Sequence, residues 1–172
     1  MEEIVFSKYT EDFVRVALEY CVLVEKTKAN EKQVFIDNIV KVLPLLYLKI
    51  SVIPPIDENY DSDLPNKVDE EMYALVENNI SELLGEDNLY LETFHPDIKL
   101  SDSPVAVKIS EDLADIYQDL GNFIGIFKNG QKETMNDSLI LCIQNFERYW
   151  GQRLVNALRA LHHLKYKEEI VE

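Results

Sequence analysis

Three aspartates at helical spacing are the side chains in this sequence that best fit metal chemistry. Asp112, Asp115 and Asp119 are separated by steps of three and four, which places them on one face of a helix. Carboxylates from two antiparallel helices can hold Mg²⁺ beside a diphosphate, and Glu133 and Asp137 begin the next predicted helix. The alternative is that acids at this spacing form a solvated face, as is usual in an acidic protein.

A second group combines cations, aromatic rings and an amide, and is a candidate site for a polar or anionic ligand: Arg148, Tyr149, Trp150, Arg153 and Asn156. Arg153 lies near the middle of an apolar helical stripe. A buried guanidinium is costly unless paired, so Asp112 or Asp115 would be its partner. The alternative is that a bend at Gly151 turns Arg153 to the surface.

Other motifs that carry chemistry are missing from the sequence. It contains no nucleophile elbow, phosphate-binding loop or dinucleotide fingerprint. Glu92 and His95 form a single ExxH pair, but a di-iron site requires a second pair and two further glutamates. We therefore expect no cofactor.

The first group belongs to a predicted core helix that spans Ile109 to Phe127. Its apolar residues recur at steps of three and four, and small residues follow one edge of the apolar stripe, at Ala114, Gly121 and Gly125. This edge predicts the close approach of a second helix. Ser103 followed by Pro104 predicts that the core helix begins there, because proline favours the first helical position.

Four further helices surround the core helix in this prediction. Hydrophobic periodicity places them from about Thr10, from about Asn30 to Ile50, from Met72 to Leu84, and from about Lys132 to Lys165. The second contains Pro44 and is apolar nearly all round, which predicts a bent helix at the centre of a bundle. The fold predicted for residues 1–172 is all-α, a single-domain bundle of about five main helices with two long loop-rich connections, 51–67 and 85–103.

Charge is distributed unevenly along the chain. Residues 1–139 sum to about −16, whereas residues 140–167 sum to about +4. A face of the last helix could therefore complement an acidic face of the core helix. The predicted faces are Asn145, Arg148, Gln152, Asn156, Arg159 and His163 on the last helix, and Glu111, Asp115, Asp119 and Asn122 on the core helix.

Composition and charge restrict the functional class. A length of 172 residues suffices for one core without disulfides, and Cys21 and Cys142 indicate a reducing compartment. The net charge of −15 disfavours direct binding of nucleic acid or anionic membrane. The N-terminal segment lacks the features of a secretory signal. We therefore expect a cytoplasmic location.

Four segments resemble a bacterial family of uncharacterised all-helical domains. They are VLPLLYLKIS from Val42, FHPDIKLSDSPVA from Phe94, ISEDLADIYQDL from Ile109 and NFERYWGQRLVNALRALHHLKY from Asn145. The resemblance implies a small cytoplasmic bacterial protein and brings no catalytic residues. The resemblance also implies that the chain is encoded near a 3′-5′ exonuclease, which would suggest a partner in nucleic-acid metabolism.

Taken together, the sequence favours a non-enzymatic, acidic module for protein interaction or regulation, whose unknown protein partner could be a nucleic-acid-processing enzyme. The alternative is a divalent-metal-dependent hydrolase of nucleotides or another phosphorylated substrate, with the three aspartates as ligands. A third hypothesis is an anion pocket around Arg148 and Arg153. Whether Arg148 and Arg153 contact the carboxylates or open water would distinguish these three hypotheses.

Overall fold

Six helices form most of the described chain, which comprises residues 3–57, 63–92 and 104–167 of a computed structural model. The all-α prediction is confirmed. The helices are α1 (Lys8–Glu25), α2 (Lys32–Ser51), α3 (Glu70–Leu84), α4 (Ile109–Phe127), α5 (Lys132–Asn145) and α6 (Gly151–Tyr166). Short 3-10 turns lie at Ile4–Phe6, Thr27–Ala29 and Gly85–Asn88.

Helix α4 lies at the centre of the bundle and packs against α1, α3, α5 and α6. Its apolar stripe is buried as predicted, with Leu113, Ile116 and Leu120 fully inaccessible to solvent. Phe123 stacks on Phe13 of α1, with ring centroids 5.5 Å apart. The core therefore forms around the helix whose periodicity is clearest in the sequence.

A two-stranded hairpin precedes α4, and the sequence did not predict it. Strand β1 (Leu89–Glu92) pairs antiparallel with β2 (Val105–Lys108). The predicted start of the core helix at Ser103–Pro104 is therefore wrong for residues 104–108, while Ser103 lies outside the described residues. A segment of three apolar residues and one charged residue fits a strand as well as a helix turn, so only the pairing decides between them.

The side chain of Asn88 fixes the point at which β2 becomes α4. Its Oδ1 accepts from the Ser110 backbone N–H at 2.8 Å, and its Nδ2 donates to Ser110 Oγ at 2.8 Å. The first turn of a helix leaves backbone N–H groups without partners in the helix. Asn88 accepts from one of these groups, the N–H of Ser110. The hairpin is thereby attached to the start of the core helix.

Helix α2 lies at the edge of the bundle, so the prediction of a central helix is wrong. One side packs against α1 and α6, and Leu43 and Leu46 are fully buried. The opposite side exposes Leu45 and Leu48 by 41% and 53%. The nearly all-round apolar character of α2 thus reflects an apolar outer face and not complete burial.

The small-residue edge of α4 receives the bend at Lys67 and Val68 and not the predicted second helix. A Cβ on Gly121 would lie 2.5 Å from Val68 Cγ2, and one on Gly125 would lie 2.6 Å from Lys67 Cγ. Between these glycines, Asn122 Oδ1 accepts from the backbone N–H groups of Lys67 and Val68, at 2.7 and 2.8 Å. The glycines therefore make room for the end of the connection between α2 and α3.

Both predicted connections lie only partly within the described chain. Residues 52–57 and 63–69 contain no helix or strand, and residues 58–62 and 93–103 lie outside the described parts. Gly85 ends α3 with a positive φ of 57°, the left-handed region in which glycine is favoured. Within the described ranges, no helix is both long enough and apolar enough to cross a bilayer.

The predicted long C-terminal helix is interrupted by a π-helical turn at Phe146–Trp150, immediately before the expected bend at Gly151. The Gly151 N–H donates to the Phe146 carbonyl, as the wider turn requires. A Cβ on Gly151 would lie 2.6 Å from that carbonyl oxygen and 2.9 Å from the Phe146 ring. Glycine is therefore required at the point where α6 begins.

We predict that Gly151→Ala lowers the free energy of unfolding by about 1–3 kcal/mol, because overpacking against a backbone oxygen outweighs the gain of at most about 1 kcal/mol in helix propensity. Urea unfolding followed by circular dichroism measures the change. His163→Ala, at an exposed position of α6, is the control and should be nearly neutral. A stability of Gly151→Ala equal to or above that of the wild type would contradict the prediction.

Candidate functional site

The three candidate aspartates of α4 each contact a side chain of the C-terminal helices. Asp119 Oδ1 accepts from Asn145 Nδ2 at 2.7 Å, and Asp115 Oδ2 accepts from Tyr149 OH at 2.6 Å. Asp112 Oδ1 lies 3.6 Å from Arg153 Nη1. We call this antiparallel series of three contacts the carboxylate ladder, and it joins α4 to α5, the π turn and α6.

The π turn decides which side chains of the C-terminal helices enter the ladder. A π turn holds one residue more than an α turn, so it rotates everything after it by about one position. The predicted face contained Arg148 and Gln152, but both are exposed and do not contact α4 aspartates. Tyr149 and Arg153 occupy those places instead. The prediction that the two helices pair is confirmed by the structure, whereas the predicted register is wrong by one residue after Asn145.

Two tyrosines from other elements complete the polar cluster around the ladder. Tyr73 OH, from α3, donates to Asp115 Oδ1 at 2.8 Å. Tyr90 OH, from β1, contacts Asp112 Oδ2 and lies 3.1 Å from Glu92 Oε2. One hydroxyl proton is thus placed between two buried carboxyl groups, since Asp112 and Glu92 are 2% and 1% exposed.

Sequence reasoning missed Tyr73 and Tyr90, and it considered Glu92 only as half of an ExxH motif whose His95 lies outside the described residues. The alternation of Tyr90 and Glu92 was the available signal, because residues two apart in a strand lie on one face. That signal needed the strand to be recognised first. Tyr73 had no signal of its own, since its partner is 42 residues away in sequence.

Burial dominates the electrostatics of the cluster. It raises the pKa of Asp112 to about 7, although the Tyr90 hydrogen bond and the charge of Arg153 oppose the rise. Burial likewise raises the pKa of Asp119 to about 6, against the effect of the Asn145 hydrogen bond. The pKa of Tyr149 rises to about 12, through burial and its bond to Asp115. The cluster therefore retains protons on carboxyl groups close to neutral pH.

The aspartates do not form a common ligand set for a cation. Asp112 contacts Tyr90 and Arg153, while Asp115 accepts from two tyrosines. Among the residues that the structure describes, no group of three or more acidic, histidine or cysteine side chains could hold a metal ion. Every fully buried polar side-chain atom in those same residues has a hydrogen-bonding partner. The arrangement is that of a satisfied packing interface.

The candidate anion-binding residues are likewise dispersed. Trp150 is fully buried and its indole N–H donates at 3.1 Å to the Cys142 carbonyl, which also accepts from the Phe146 backbone N–H. Asn156 is buried and accepts from Gln152 at 2.8 Å. Arg153 lies 5.2 Å from the centre of the Tyr149 ring and beside Asp112, so its charge is already compensated. Arg148 alone of the five is an exposed cation.

A different surface has the properties of a binding site. Helices α1 and α2 present an apolar outer face, which we call the α1–α2 face and define by its exposed large apolar side chains: Leu18, Val22, Val34, Leu45, Leu48 and Val52. A groove of about 610 Å³ lies between the two helices within this face, lined by Leu18, Val22, Leu23, Ala29 and Val42. Contiguous exposed apolar surface of this kind marks interaction sites in soluble proteins.

Charged groups border the same groove. Lys26 and Lys41 line it together with Glu19. The other described lysines of α2, Lys32 and Lys49, form ion pairs with Asp87 and Asp12. The groove thus combines apolar walls with ammonium groups on a chain whose net charge is −15.

Comparison with known proteins supplies a family and a fold. The profile described as "Domain of unknown function (DUF5063)" matches residues 4–167. The crystal structure of protein BF1032 from Bacteroides fragilis is 40% identical in sequence, covers 99% of this chain and 100% of that chain, and superposes with a TM-score of 0.86. No curated protein matches the chain significantly.

We predict that the stability of the protein falls as the pH rises from about 4 to about 7. A carboxyl group whose pKa is higher in the folded state stabilises the fold while protonated, and this contribution is lost as the pH rises through the folded pKa. Asp112→Asn should flatten the fall, with each pKa unit corresponding to about 1.4 kcal/mol. Urea unfolding across this pH range gives the slopes.

The matched control is Asp119→Asn, which should flatten the profile only below about pH 6 because the raised pKa of Asp119 is lower than that of Asp112. The same slope in Asp112→Asn and in the wild type would refute the assignment of a retained proton to Asp112.

Proposed function

The chain belongs to the DUF5063 family, whose description names no activity, and we propose from its own surface that it is a non-enzymatic protein-interaction module. Family membership confirms the resemblance carried by the four sequence segments. The observation that carries the proposal is the α1–α2 face, where six large apolar side chains are exposed on two adjacent helices.

Exposed large apolar side chains also occur elsewhere in the described residues, as at Leu75, but the α1–α2 face groups six of them on two adjacent helices. Leaving large apolar side chains in water forgoes about 1.5–3 kcal/mol each relative to full burial. A partner that covers the face recovers part of this free energy.

The polar cluster supports the same proposal because its aspartates are already engaged by neighbouring side chains. Asp112, Asp115 and Asp119 are engaged by Arg153, the tyrosines and Asn145, so no specific observation favours the metal-dependent hydrolase. The residues proposed for anion binding are similarly engaged in packing, with the exception of Arg148. The cluster is best explained as the interface that holds α4 against the C-terminal helices.

The cellular setting is part of the proposal. Cys21 and Cys142 are buried free thiols, which fits the reducing cytoplasm. The net charge of −15 fits a module that binds protein and not nucleic acid directly. A nucleic-acid-processing enzyme remains the first class of partner to test, because the sequence resemblance points to that class.

We predict that a photo-crosslinking amino acid at Leu48 traps a discrete protein in bacterial cells that express the chain. The same probe at Glu133, an exposed position of α5, should not trap it. The additional substitution Leu45→Asp should abolish the crosslink, because a carboxylate in the centre of the face opposes apolar contact. Mass spectrometry identifies the product, and circular dichroism confirms that the Leu45→Asp variant is folded.

Equal crosslinking from Leu48 and Glu133, or a crosslink that Leu45→Asp leaves unchanged, would contradict the proposed interaction surface. The enzyme alternative has a separate test in the same cells and in purified protein. Release of phosphate from a nucleotide panel with Mg²⁺ or Mn²⁺, lost in Asp115→Asn, would replace the interaction proposal with a hydrolase.

A further inference from the structure

The outer side of α2 has the residue spacing of a coiled-coil seam. Exposed residues recur at steps of four and three over the whole helix and its C-cap, at Val34, Asn38, Lys41, Leu45, Leu48 and Val52. This alternation has the period of 3.5 residues with which two helices remain in contact along their length. The seam spans about 27 Å along one side of α2.

From this seam we infer that the partner of the α1–α2 face presents an amphipathic α-helix, with a carboxylate opposite Lys41 and an amide opposite Asn38. This inference rests on the proposed function and specifies the chemistry of the partner. Apolar residues at the partner's seam would pack on Leu45 and Leu48, and Leu18 and Val22 of α1 would enclose its other side.

The two polar residues within the seam define what the partner must supply. Asn38 and Lys41 both line the groove, so a helix laid along the seam covers them. A covered amide or ammonium group is costly unless it is paired. A single polar residue in such a seam also fixes the register of the two helices, at some loss of stability.

A second copy of this chain does not satisfy these requirements. A parallel two-fold pairing of the seam places Lys41 against Lys41, and like charges in contact are repulsive. An antiparallel pairing that uses the whole seam places Lys41 against Leu45 and Asn38 against Leu48. Two chains of charge −15 also repel each other. A different protein with a complementary helix is therefore the favoured occupant.

Charge around the seam selects an acidic helix in spite of the acidity of the whole chain. Lys26 and Lys41 both line the groove, where they outnumber Glu19. At physiological ionic strength, charges beyond about 8 Å are largely screened, so the local lysines decide the preference. The general field of the protein would instead favour a basic helix, which makes the two influences separable by experiment.

The test uses two synthetic helical peptides with identical leucine seams and one asparagine for Asn38. One carries glutamate and the other lysine at the position opposite Lys41. Fluorescence anisotropy titration with the full chain at physiological salt should show the glutamate peptide binding about tenfold more tightly, since exchanging an attractive for a repulsive contact is worth about 1.4 kcal/mol. Lys41→Glu should reverse the preference.

The matched control is Lys128→Glu, an exposed residue after α4 whose substitution changes the net charge equally. It should leave the preference for the glutamate peptide intact. Tighter binding of the lysine peptide by the wild type, or an equal effect of Lys41→Glu and Lys128→Glu, would overturn the inference, because the general field would then govern binding.

Further measurements separate the failure of this inference from that of the proposed function. If Leu45→Asp abolishes binding of both peptides while the wild type shows no preference between them, the interaction surface stands and the acidic partner helix is overturned. If Leu45→Asp has no effect on either peptide, both proposals fail. A stable dimer in sedimentation equilibrium that Leu45→Asp dissociates, or binding to phosphatidylcholine–phosphatidylglycerol vesicles in place of the peptides, would also overturn the inference.

Discussion

The carboxylate ladder between α4 and the C-terminal helices is the interaction on which the bundle depends. Three carboxyl groups of one helix meet Asn145, Tyr149 and Arg153 of its antiparallel neighbour. An ionised group withdrawn from water is stable only when it is paired or hydrogen-bonded, so the relative position of the helices is fixed by polar contacts as well as by apolar packing. The ladder thereby sets the register of the central helix pair.

Other elements are positioned by the demands of the same buried groups. The hairpin brings Tyr90 and Glu92 to Asp112, and α3 brings Tyr73 to Asp115. Asn88 joins the hairpin to the first turn of α4. The acids that resemble a catalytic group in the sequence therefore form structural hydrogen bonds and ion pairs. Acids with a raised pKa are common at active sites, but structural networks raise pKa values by the same desolvation.

With the polar interior satisfied, the most informative surface is apolar. The α1–α2 face exposes leucine and valine on a strongly acidic chain, and its lysines border a groove between two helices. This surface explains why α2 is apolar on nearly every side without being central: one side belongs to the core and the other is exposed. The functional proposal therefore rests on an apolar surface at the edge of the bundle and not on the titratable cluster.

The sequence by itself determined the helical class, the central position of α4, the end of α3 at Leu84 and the pairing of the basic C-terminal segment with the acids of α4. These features depend on local periodicity and on net charge, which are readable without coordinates. The short strands were not readable, because a segment of three apolar residues and one charged residue fits a strand and a helix equally.

Apart from the contact of Arg153 with Asp112, one of the two partners that the sequence predicted, only the tertiary structure decided which residues meet. The π turn at Phe146–Trp150 shifts the helix by one position, so Tyr149 and Arg153 replace Arg148 and Gln152 at the interface. A helical wheel assumes a regular α-helix and cannot show that shift. The wider turn is stabilised by tertiary structure, through the Gly151 contact with Phe146 and the burial of Trp150. The edge position of α2 could not be read from the sequence either, because residue type does not distinguish a buried apolar side chain from an exposed one.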